Sequence, residues 1–451
     1  MSSELGLLVG LPLLGVSLSF LKKLRGILLF CVSFLTLLLS LRAYFKKNGF
    51  EEVGGWQVPL GIGLRLDELS SSFILMTGVV CFFVFLYALS FFKRAPGFFW
   101  VFFFSVWAGL NGFFLSEDFF NLYVATEVLS LAGVSLVASS RTNRAIKASL
   151  DYLFISLIAS LIYLMGVGII YLRAGTLSIS DFASKESPSF EYALGLIAIS
   201  LAIKCALFPF HFWLAPAHAS ALAPASALLS ALLIKPPAYL IARISLEFET
   251  GELKLIFSIL GSIAIAFGSI MAMRQQTIKM LLAYSTIAQV GYLFLMLPLF
   301  GFEDFKQDAI KAMSLHAFTH ALAKASMFLS SGNSIYVSKS DELSLMPSFA
   351  SSHPLTFFGI FFSGASLMGL PVSGGFIAKF LLLKTSIQVG LYHIGLVAVL
   401  GGLLAGLYIY PLWKECFEKS DKKPSGYIPI WMEISVFSLG LISFIGGIFG
   451  L

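Results

Sequence analysis

Ionisable side chains interrupt several apolar stretches of this 451-residue chain that are long enough to cross a bilayer. A charge at the bilayer centre costs about 2.5–3.5 kcal/mol on insertion scales, so each such group is expected to be paired, hydrated or functional. Carboxylates, imidazoles and amines exchange protons, and the pattern therefore points to proton chemistry. The candidates are Glu127, Lys204, Lys235, His316, His320, Lys324 and Lys379.

Glu127 and Lys204 form the first candidate pair. Glu127 lies in "NLYVATEVLSLAGVSLV" and Lys204 lies in "LAIKCALFPF". An isolated buried carboxyl group keeps its proton and an isolated buried amine loses one, whereas contact between them keeps both charged. Opening and closing such a pair can therefore take up and release a proton. The alternative is a static ion pair that only fixes packing, although buried pairs are not usually a net source of stability.

His316, His320 and Lys324 are spaced four residues apart, so they line one face of one helix. Imidazoles titrate near physiological pH, and this row predicts a hydrated proton relay. Two alternatives stay open: histidines satisfied within a packed core, or a metal site formed by the two histidines. No acidic residue or cysteine lies close to them in sequence to complete a metal site.

Three other lysines lie near helix-breaking residues or helix ends. Lys235 precedes Pro236 and Pro237, and Lys379 follows a stretch rich in glycine and proline. Each is a candidate for the proton path or for snorkelling toward the membrane surface. We interpret Lys279, in "QQTIKMLLAYSTIAQVGY", as an interfacial anchor at the cytoplasmic end of its helix.

The composition indicates which elements position these residues. The chain is 58% hydrophobic and 12% charged, with a mean hydropathy of +0.90, whereas soluble domains are about 25% charged. We predict an all-α polytopic membrane protein of about fourteen transmembrane helices, the first retained rather than cleaved as a signal peptide. The predicted helix centres are Leu13, Phe34, Val79, Val106, Leu131, Ile162, Ile199, Leu232, Ile265, Tyr292, Lys324, Leu370, Gly401 and Leu441.

Basic residues concentrate in the connections that follow odd-numbered helices. By the positive-inside rule these loops are cytoplasmic, which places both termini outside the plasma membrane. The net charge of +6 then reflects topology rather than nucleic-acid binding. The basic residues are Lys22, Lys23, Arg25, Lys93, Arg94, Arg141, Arg144, Lys147, Arg274, Lys339, Lys414, Lys419, Lys422 and Lys423. The acids in the same loops are Asp151, Asp341, Glu342, Glu415, Glu418 and Asp421.

The cysteines give no sign of a metal or redox centre. Cys31, Cys81, Cys205 and Cys416 are isolated, without a CxxC motif or a spacing suited to zinc or iron–sulfur ligation. We therefore expect no cofactor on this chain.

The helices divide into four regions. Residues 1–97 hold three helices and a small extracellular hairpin in "GWQVPLGIGLRLDELS", and residues 416–451 hold a cytoplasmic loop and the last helix. The intervening ten helices divide into residues 98–245 and 246–415. Five helices per half force the second half to be inverted relative to the first, as in many transporters.

The fourth helix of each half carries a lysine and helix-breaking residues. The first reads "LAIKCALFPF" and the second reads "SLMGLPVSGGFIAKFLL". Such residues in corresponding helices predict broken helices that face a transport path. The alternative is that the prolines only kink packed helices.

Six motifs, spread over roughly residues 60–415, resemble the antiporter-like subunits shared by Mrp-type cation/proton antiporters, respiratory complex I and membrane-bound hydrogenases. They are "FNLYVATEVLSL", "LAIKCALFPFHFWL", "APASALLSALLIK", "TIKMLLAYSTIAQVGY", "HALAKASMFLSSGN" and "SLMGLPVSGGFIAKFLL". The resemblance implies fourteen helices with two inverted five-helix repeats and a central proton-carrying axis. The length is similar to that of the medium-sized, D-like subunits.

The resemblance also assigns roles to the buried charges. It implies that Glu127 and Lys204 are the switching pair, with Lys235 as the bridge. His316, His320 and Lys324 become the central relay and Lys379 the terminal lysine of the second half. Two departures concern this path: Pro216 stands where the family usually has aspartate, and Pro236–Pro237 replace a glycine.

We therefore predict a proton-translocating subunit of a multisubunit membrane complex, not an enzyme by itself. Transport is coupled to Na⁺ exchange or, alternatively, to a peripheral redox module on other chains. Its partners are then other membrane subunits of an Mrp-like or complex I-like assembly, H⁺, Na⁺ and the lipid bilayer. Two other classes stay open: a self-contained solute transporter, and a scaffold whose charges have no transport role.

Overall fold

The computed structural model describes residues 4–21, 24–58, 61–92, 97–183, 190–418 and 426–447, and these are mostly helical. Several predicted cytoplasmic charges lie outside the described residues: Lys22, Lys23, Lys93, Arg94, Lys419, Asp421, Lys422 and Lys423. Within the described part, nine helices are long and apolar enough to cross a membrane, and three shorter ones are also apolar. The prediction of an all-α polytopic membrane protein is confirmed.

The helices up to the first interruption, and those after it that close the first half, have these bounds. They are α1 Glu4–Leu18, α2 Arg25–Lys46, α3 Glu68–Phe91, α4 Gly97–Leu115, α5 Phe119–Ala138, α6 Asn143–Ala174, α7 Ile179–Ala183, α8 Phe190–Lys204, α9 Leu214–Ser220, α10 Ala223–Leu228 and α11 Lys235–Glu247. A π-helical turn, Leu229–Leu233, lies between α10 and α11.

The remaining helices follow α11 along the chain. They are α12 Gly251–Met273, α13 Ile278–Leu295, α14 Lys306–Ser338, α15 Phe349–Ser352, α16 Pro354–Met368, α17 Gly374–Gln388, α18 Tyr392–Phe417 and α19 Ile430–Ile445. Short 3₁₀ segments occupy Leu297–Gly301, Glu303–Phe305 and Leu343–Leu345. Every predicted helix centre lies in a helix except Leu232, in the π-helical turn, and Leu370, in an interruption.

A hairpin of two strands precedes α3, as predicted. Strands β1 Gly49–Val53 and β2 Ile62–Leu66 pair antiparallel, with Gly49 opposite Leu66 and Val53 opposite Ile62. The hairpin begins earlier than the segment quoted for it, because β1 precedes that segment.

The chain separates into two compact units. The first comprises Met1–Phe82, Ala95–Cys205 and Leu233–Leu253, and the second comprises Phe83–Arg94, Ala206–Leu232 and Lys254–Leu451. In the first unit α6 packs against α5 and α8, and α4 packs against α1 and α5. In the second unit α14 contacts α10, α13, α16, α17 and α19, so the helix of the predicted relay lies at its core. The inverted relation of the two predicted halves stays a prediction.

Small residues allow the closest helix contacts. A Cβ atom added to Gly359 of α16 would lie 2.8 Å from the Val436 carbonyl oxygen of α19, and one added to Gly440 would lie 2.5 Å from the Gly359 oxygen. Close backbone approach of this kind is typical of packed membrane helices.

Both predicted interruptions are present, and each has a local cause. Helix α8 ends at Lys204, and the chain is not helical again until α9. Helix α16 ends in Gly369, whose φ of 80° closes the helix while its N–H donates to Ala365 and Ser366. The Ser373 side chain then accepts from the Phe376 N–H at 3.1 Å and so begins α17.

Candidate proton-translocation site

Glu127 and Lys204 are in contact within the first unit. The distance from Lys204 Nζ to Glu127 Oε1 is 3.3 Å, and their side chains are 5% exposed for the lysine and 22% for the glutamate. Glu127 lies midway along α5, whereas Lys204 is the last residue of α8, where the helix stops. The structure thus brings together the two residues that the sequence paired across 77 positions.

Serine hydroxyls surround this pair. Lys204 Nζ donates to Ser130 Oγ at 3.2 Å and to Ser156 Oγ at 3.0 Å, and the Ser160 hydroxyl contacts the Glu127 carboxylate. The three serines are buried, and they come from α5 and α6. Because each hydroxyl can both donate and accept, the cluster can carry a proton to or from the amine.

These serines were not identified from the sequence. Ser130 follows Glu127 by three residues, and Ser156 and Ser160 are four residues apart on α6. This helical spacing was the only available signal, and serine is too common in membrane helices for that spacing to be decisive.

Lys235 is fully buried in the first unit and opens α11 directly after the π-helical turn. Pro236 and Pro237 follow it in the first turn of the new helix. Proline is tolerated there because the first N–H groups of a helix have no intrahelical acceptor. The prolines therefore mark where a second helix begins. This placement excludes the alternative that Lys235 snorkels out of the protein.

His316, His320 and Lys324 lie on one face of α14, and all three are buried. The two imidazole rings stack with centroids 5.8 Å apart, and His316 Nε2 is 3.0 Å from the Gln289 carbonyl oxygen. Lys324 Nζ donates to the Leu282 carbonyl at 3.1 Å and contacts the Ser285 hydroxyl. The predicted alignment along one helix is present.

Lys379 of α17 is also buried, beside the second interruption. Its Nζ donates to the carbonyls of Leu367 and Met368, at 2.7 and 3.3 Å, which are freed where α16 ends. The same ammonium lies 4.6 Å from the centroid of the Tyr292 ring. Lys379 therefore points into the protein.

Two residues of α13 lie between His316 and Lys379, and neither was given a role from the sequence. The Tyr292 ring contacts both the His316 ring, at 5.2 Å between centroids, and the Lys379 ammonium. The Gln289 side chain donates to the Leu367 carbonyl at 3.3 Å, and this carbonyl also accepts from Lys379. Both residues lie in the quoted motif "TIAQVGY", but their spacing alone does not reveal the contacts.

The other departure from the family pattern, Pro216, lies in the first turn of α9, where proline is compatible with a helix. Two residues later, His218 is fully buried with its ring stacked on Phe328 at 4.6 Å. The charges of Lys324 and Lys279 both act on His218. No function was assigned to His218 from the sequence.

The interpretation of Lys279 as an interfacial anchor needs correction. The residue is 8% exposed and its ammonium donates to the Ala221 carbonyl, at 2.8 Å, where α9 ends. Its backbone N–H donates to Asp341 Oδ1 at 3.3 Å. Burial raises the pKa of Asp341 to about 6, although the Lys279 charge and this hydrogen bond act in the opposite direction.

A second charged cluster lies in the first unit, next to the hairpin. Arg65 Nη1 is 3.2 Å from Glu117 and 3.1 Å from Glu247, and Arg243 forms a bidentate pair with Asp67. Burial opposes ionisation of Asp67, but Arg243 and the Ser70 N–H hold its pKa below the ordinary value. These residues are distant in sequence, which is why their association was not predicted.

The site can now be set beside known proteins. Residues 116–405 match the family model described as NADH:quinone oxidoreductase/Mrp antiporter, TM. The chain belongs to this family. The matched region of this NADH:quinone oxidoreductase/Mrp antiporter family member contains all seven predicted site residues.

Two curated relatives show the range of the family. The chain is 34% identical to NADH-quinone oxidoreductase subunit N of Desulforudis audaxviator, over 82% of this chain and 76% of that protein. It is 32% identical to the D-type Na⁺/H⁺ antiporter protein of Alkalihalophilus pseudofirmus, over 82% and 77% respectively. The fold also matches a chain of the Mrp complex from Dietzia sp. DQ12-45-1b, with a TM-score of 0.91, 24% identity, and 100% and 95% coverage.

A metal site is not supported by the part of the chain that the structure covers. There, no group of three or more histidine, cysteine, aspartate or glutamate side chains is arranged to hold a metal ion. The chemistry of the site is therefore that of amines, imidazoles, hydroxyls and one carboxylate.

Proposed function

We propose that this chain is the proton-translocating, antiporter-like subunit of a multisubunit membrane complex, and that Glu127 and Lys204 operate its proton switch. The observation that carries the proposal is their 3.3 Å contact at the point where α8 is interrupted. A lysine at the end of a broken helix can move relative to a carboxylate on an intact one. The family membership supports the same conclusion.

The switch follows from the electrostatics of burial. While the pair is closed, each charge stabilises the other. When it opens, the carboxylate takes up a proton and the ammonium releases one, since neither charge is stable alone in a low-dielectric interior. Ser130 and Ser156 already accept hydrogen bonds from Lys204 and provide the first acceptors for the released proton.

The other buried basic residues serve as later stations in this proposal. Lys235 is the bridge, His316, His320 and Lys324 form the central relay, and Lys379 ends the path. The His316 and His320 ring centroids are 5.8 Å apart, so proton transfer between them needs a bridging water.

Two energy sources are compatible with this machinery. One relative is named as a Na⁺/H⁺ antiporter protein and another as a quinone oxidoreductase subunit, at similar identity. We propose exchange of H⁺ for Na⁺ as the primary function, with proton pumping driven by a redox module as the second candidate. In either version the chain is not an enzyme by itself. It resides in the plasma membrane with both termini outside.

The first experiment is purification of the tagged chain from its native membrane in mild detergent, with mass spectrometry of the co-purifying proteins. Small membrane subunits alone support the antiporter assignment, whereas iron–sulfur or hydrogenase-like chains support the redox assignment. Purification of the chain alone, with full transport activity, would contradict both.

Alanine at Glu127 or at Lys204 tests the switch itself. We expect either variant to abolish proton transport by the assembled complex. Near-normal transport, with assembly confirmed, would refute the proposed relay and support a scaffold role.

A further inference from the structure

A cavity opens beside the second helix interruption, entirely within the second unit. Its volume is about 330 Å³, at the lower end of the range of ligand pockets. The wall is formed by apolar side chains and glycines of α16, α17 and α18, together with Lys379. Leu370, Phe380 and Leu403 in this wall are 40–66% exposed, so the cavity faces outward from the unit.

Lys379 brings a positive charge to this apolar cavity. Its Nζ is bound by two carbonyl oxygens and lies over the Tyr292 ring, but in the residues that the structure describes no carboxylate is within 4 Å. A buried ammonium is normally paired with an anion. The natural complement of this cavity is therefore an apolar molecule that carries one negative charge.

The depth of the cavity selects among such molecules. Helices α16 and α17 have 15 residues each, and the interruption lies between them. At 1.5 Å per residue each extends about 22 Å, which places the interruption near the middle of a hydrocarbon core about 30 Å thick. A carboxylic acid can reach that depth as the neutral, protonated molecule and ionise beside a cation. A phosphodiester carries its charge permanently and is held at the headgroup level.

We propose that this cavity binds a long-chain fatty acid, with its carboxylate paired to Lys379 and its hydrocarbon chain along α17 and α18. This ligand site goes beyond the proposed proton path and does not depend on it. The volume suits a single hydrocarbon chain better than the two chains of a phospholipid.

The test is photo-crosslinking of the intact complex in native membranes, without an ion gradient. The probe is a palmitic acid analogue that carries a diazirine and an alkyne, and adducts are mapped by mass spectrometry. We expect adducts on α17 and α18 that oleate suppresses and methyl oleate does not. Lys379→Gln should lower labelling about tenfold, the loss expected for one charged hydrogen-bonded contact, and Lys379→Arg should retain it.

A cavity-filling variant supplies an independent check. A Cβ atom at Gly406 lies in ordinary contact with Met368 Sδ, at 3.6 Å, so Gly406→Leu fills the cavity without a backbone clash. It should abolish labelling while proton transport persists. Gly168→Leu on α6, where a Cβ meets nothing within 4 Å, is the matched control and should leave labelling unchanged.

Three results would overturn the proposal. Equal competition by methyl oleate would show that the carboxylate is not recognised. Stronger labelling by a phosphatidylglycerol analogue would assign the cavity to a phospholipid. Absence of adducts in the intact complex would show that a partner helix covers the cavity.

Discussion

Replacing Glu127 by glutamine removes a charge but keeps the shape of the side chain. Lys204 then loses its carboxylate at 3.3 Å and keeps its hydrogen bonds to Ser130 and Ser156. Removing one member of a buried ion pair costs about 3–5 kcal/mol. Because Glu127 is 22% exposed and the serine contacts persist, we expect a smaller cost here, about 2–3 kcal/mol.

The same loss should appear in transport. If the full cost of about 2–3 kcal/mol raises the barrier for proton release, the rate falls by about 30- to 150-fold, since about 1.4 kcal/mol corresponds to a factor of ten. The assay is proton uptake by proteoliposomes that contain the complete complex, read with a pH-sensitive dye. Thermal unfolding of the same sample in detergent measures the loss of stability.

A double variant separates stability from transport. Adding Lys204→Met to Glu127→Gln removes the uncompensated ammonium, so stability should recover while transport stays lost, because replacing a buried pair by uncharged groups is often neutral. Asp151→Asn, which changes an exposed carboxylate of α6, is the matched control and should affect neither quantity. Transport within twofold of normal in the assembled Glu127→Gln complex would refute the reasoning.

Three further predictions concern residues that were not singled out as functional from the sequence. Ser156→Ala removes a 3.0 Å acceptor of Lys204 and should cost about 1 kcal/mol of stability and slow proton uptake several-fold. Asp341 keeps its proton up to about pH 6 in the folded chain, against an ordinary value of 3.8, so stability should fall as pH rises from about 4 to 6. Thermal unfolding at several pH values should show this loss, at most about 3 kcal/mol, and Asp341→Asn should abolish it. Asp67→Asn weakens the pair with Arg243 and should destabilise the first unit by about 2–3 kcal/mol at pH 7; since the pKa of Asp67 is depressed, the penalty should shrink below about pH 4, as measured by thermal unfolding.

Each of these has a matched control or a contradicting result. Ser135→Ala removes an exposed hydroxyl on α5 and should leave proton uptake unchanged; an equal effect of both serine changes would argue against a specific role for Ser156. Asp304→Asn changes an exposed carboxylate, so its pH profile should match that of the unmodified chain. If the cost of Asp67→Asn were the same at pH 3 and pH 7, its contact with Arg243 would not be electrostatic.

The sequence was sufficient for groups whose placement follows from one helix. His316, His320 and Lys324 share a face because of their spacing, and the interruptions after Lys204 and before Lys379 follow from local glycine and proline. The contact between Glu127 and Lys204 was predicted because two opposite charges in apolar stretches have few other ways to be compensated. Even so, only a tertiary structure fixes their distance.

Other features depend on packing and were not predictable from local patterns. Ser130, Ser156 and Ser160 are identifiable only once α5, α6 and α8 have been brought together. The orientation of Lys279 depends on which backbone carbonyl lies within reach, and that carbonyl belongs to Ala221, 58 positions earlier in the chain. A periodic pattern assigns a lysine to a helix end but does not show whether it points outward or inward.

The two lysines at the helix interruptions differ in how their charge is balanced. The sequence suggested corresponding roles, because each lies beside a break in the fourth helix of its half. Lys204 has a carboxylate partner on a neighbouring helix, whereas Lys379 has the carbonyls of Leu367 and Met368 and the face of Tyr292. Carbonyl dipoles and an aromatic ring stabilise an ammonium less than a carboxylate does. Lys204 can therefore be switched by a movement inside this chain, while the charge on Lys379 responds to whatever occupies the adjacent cavity.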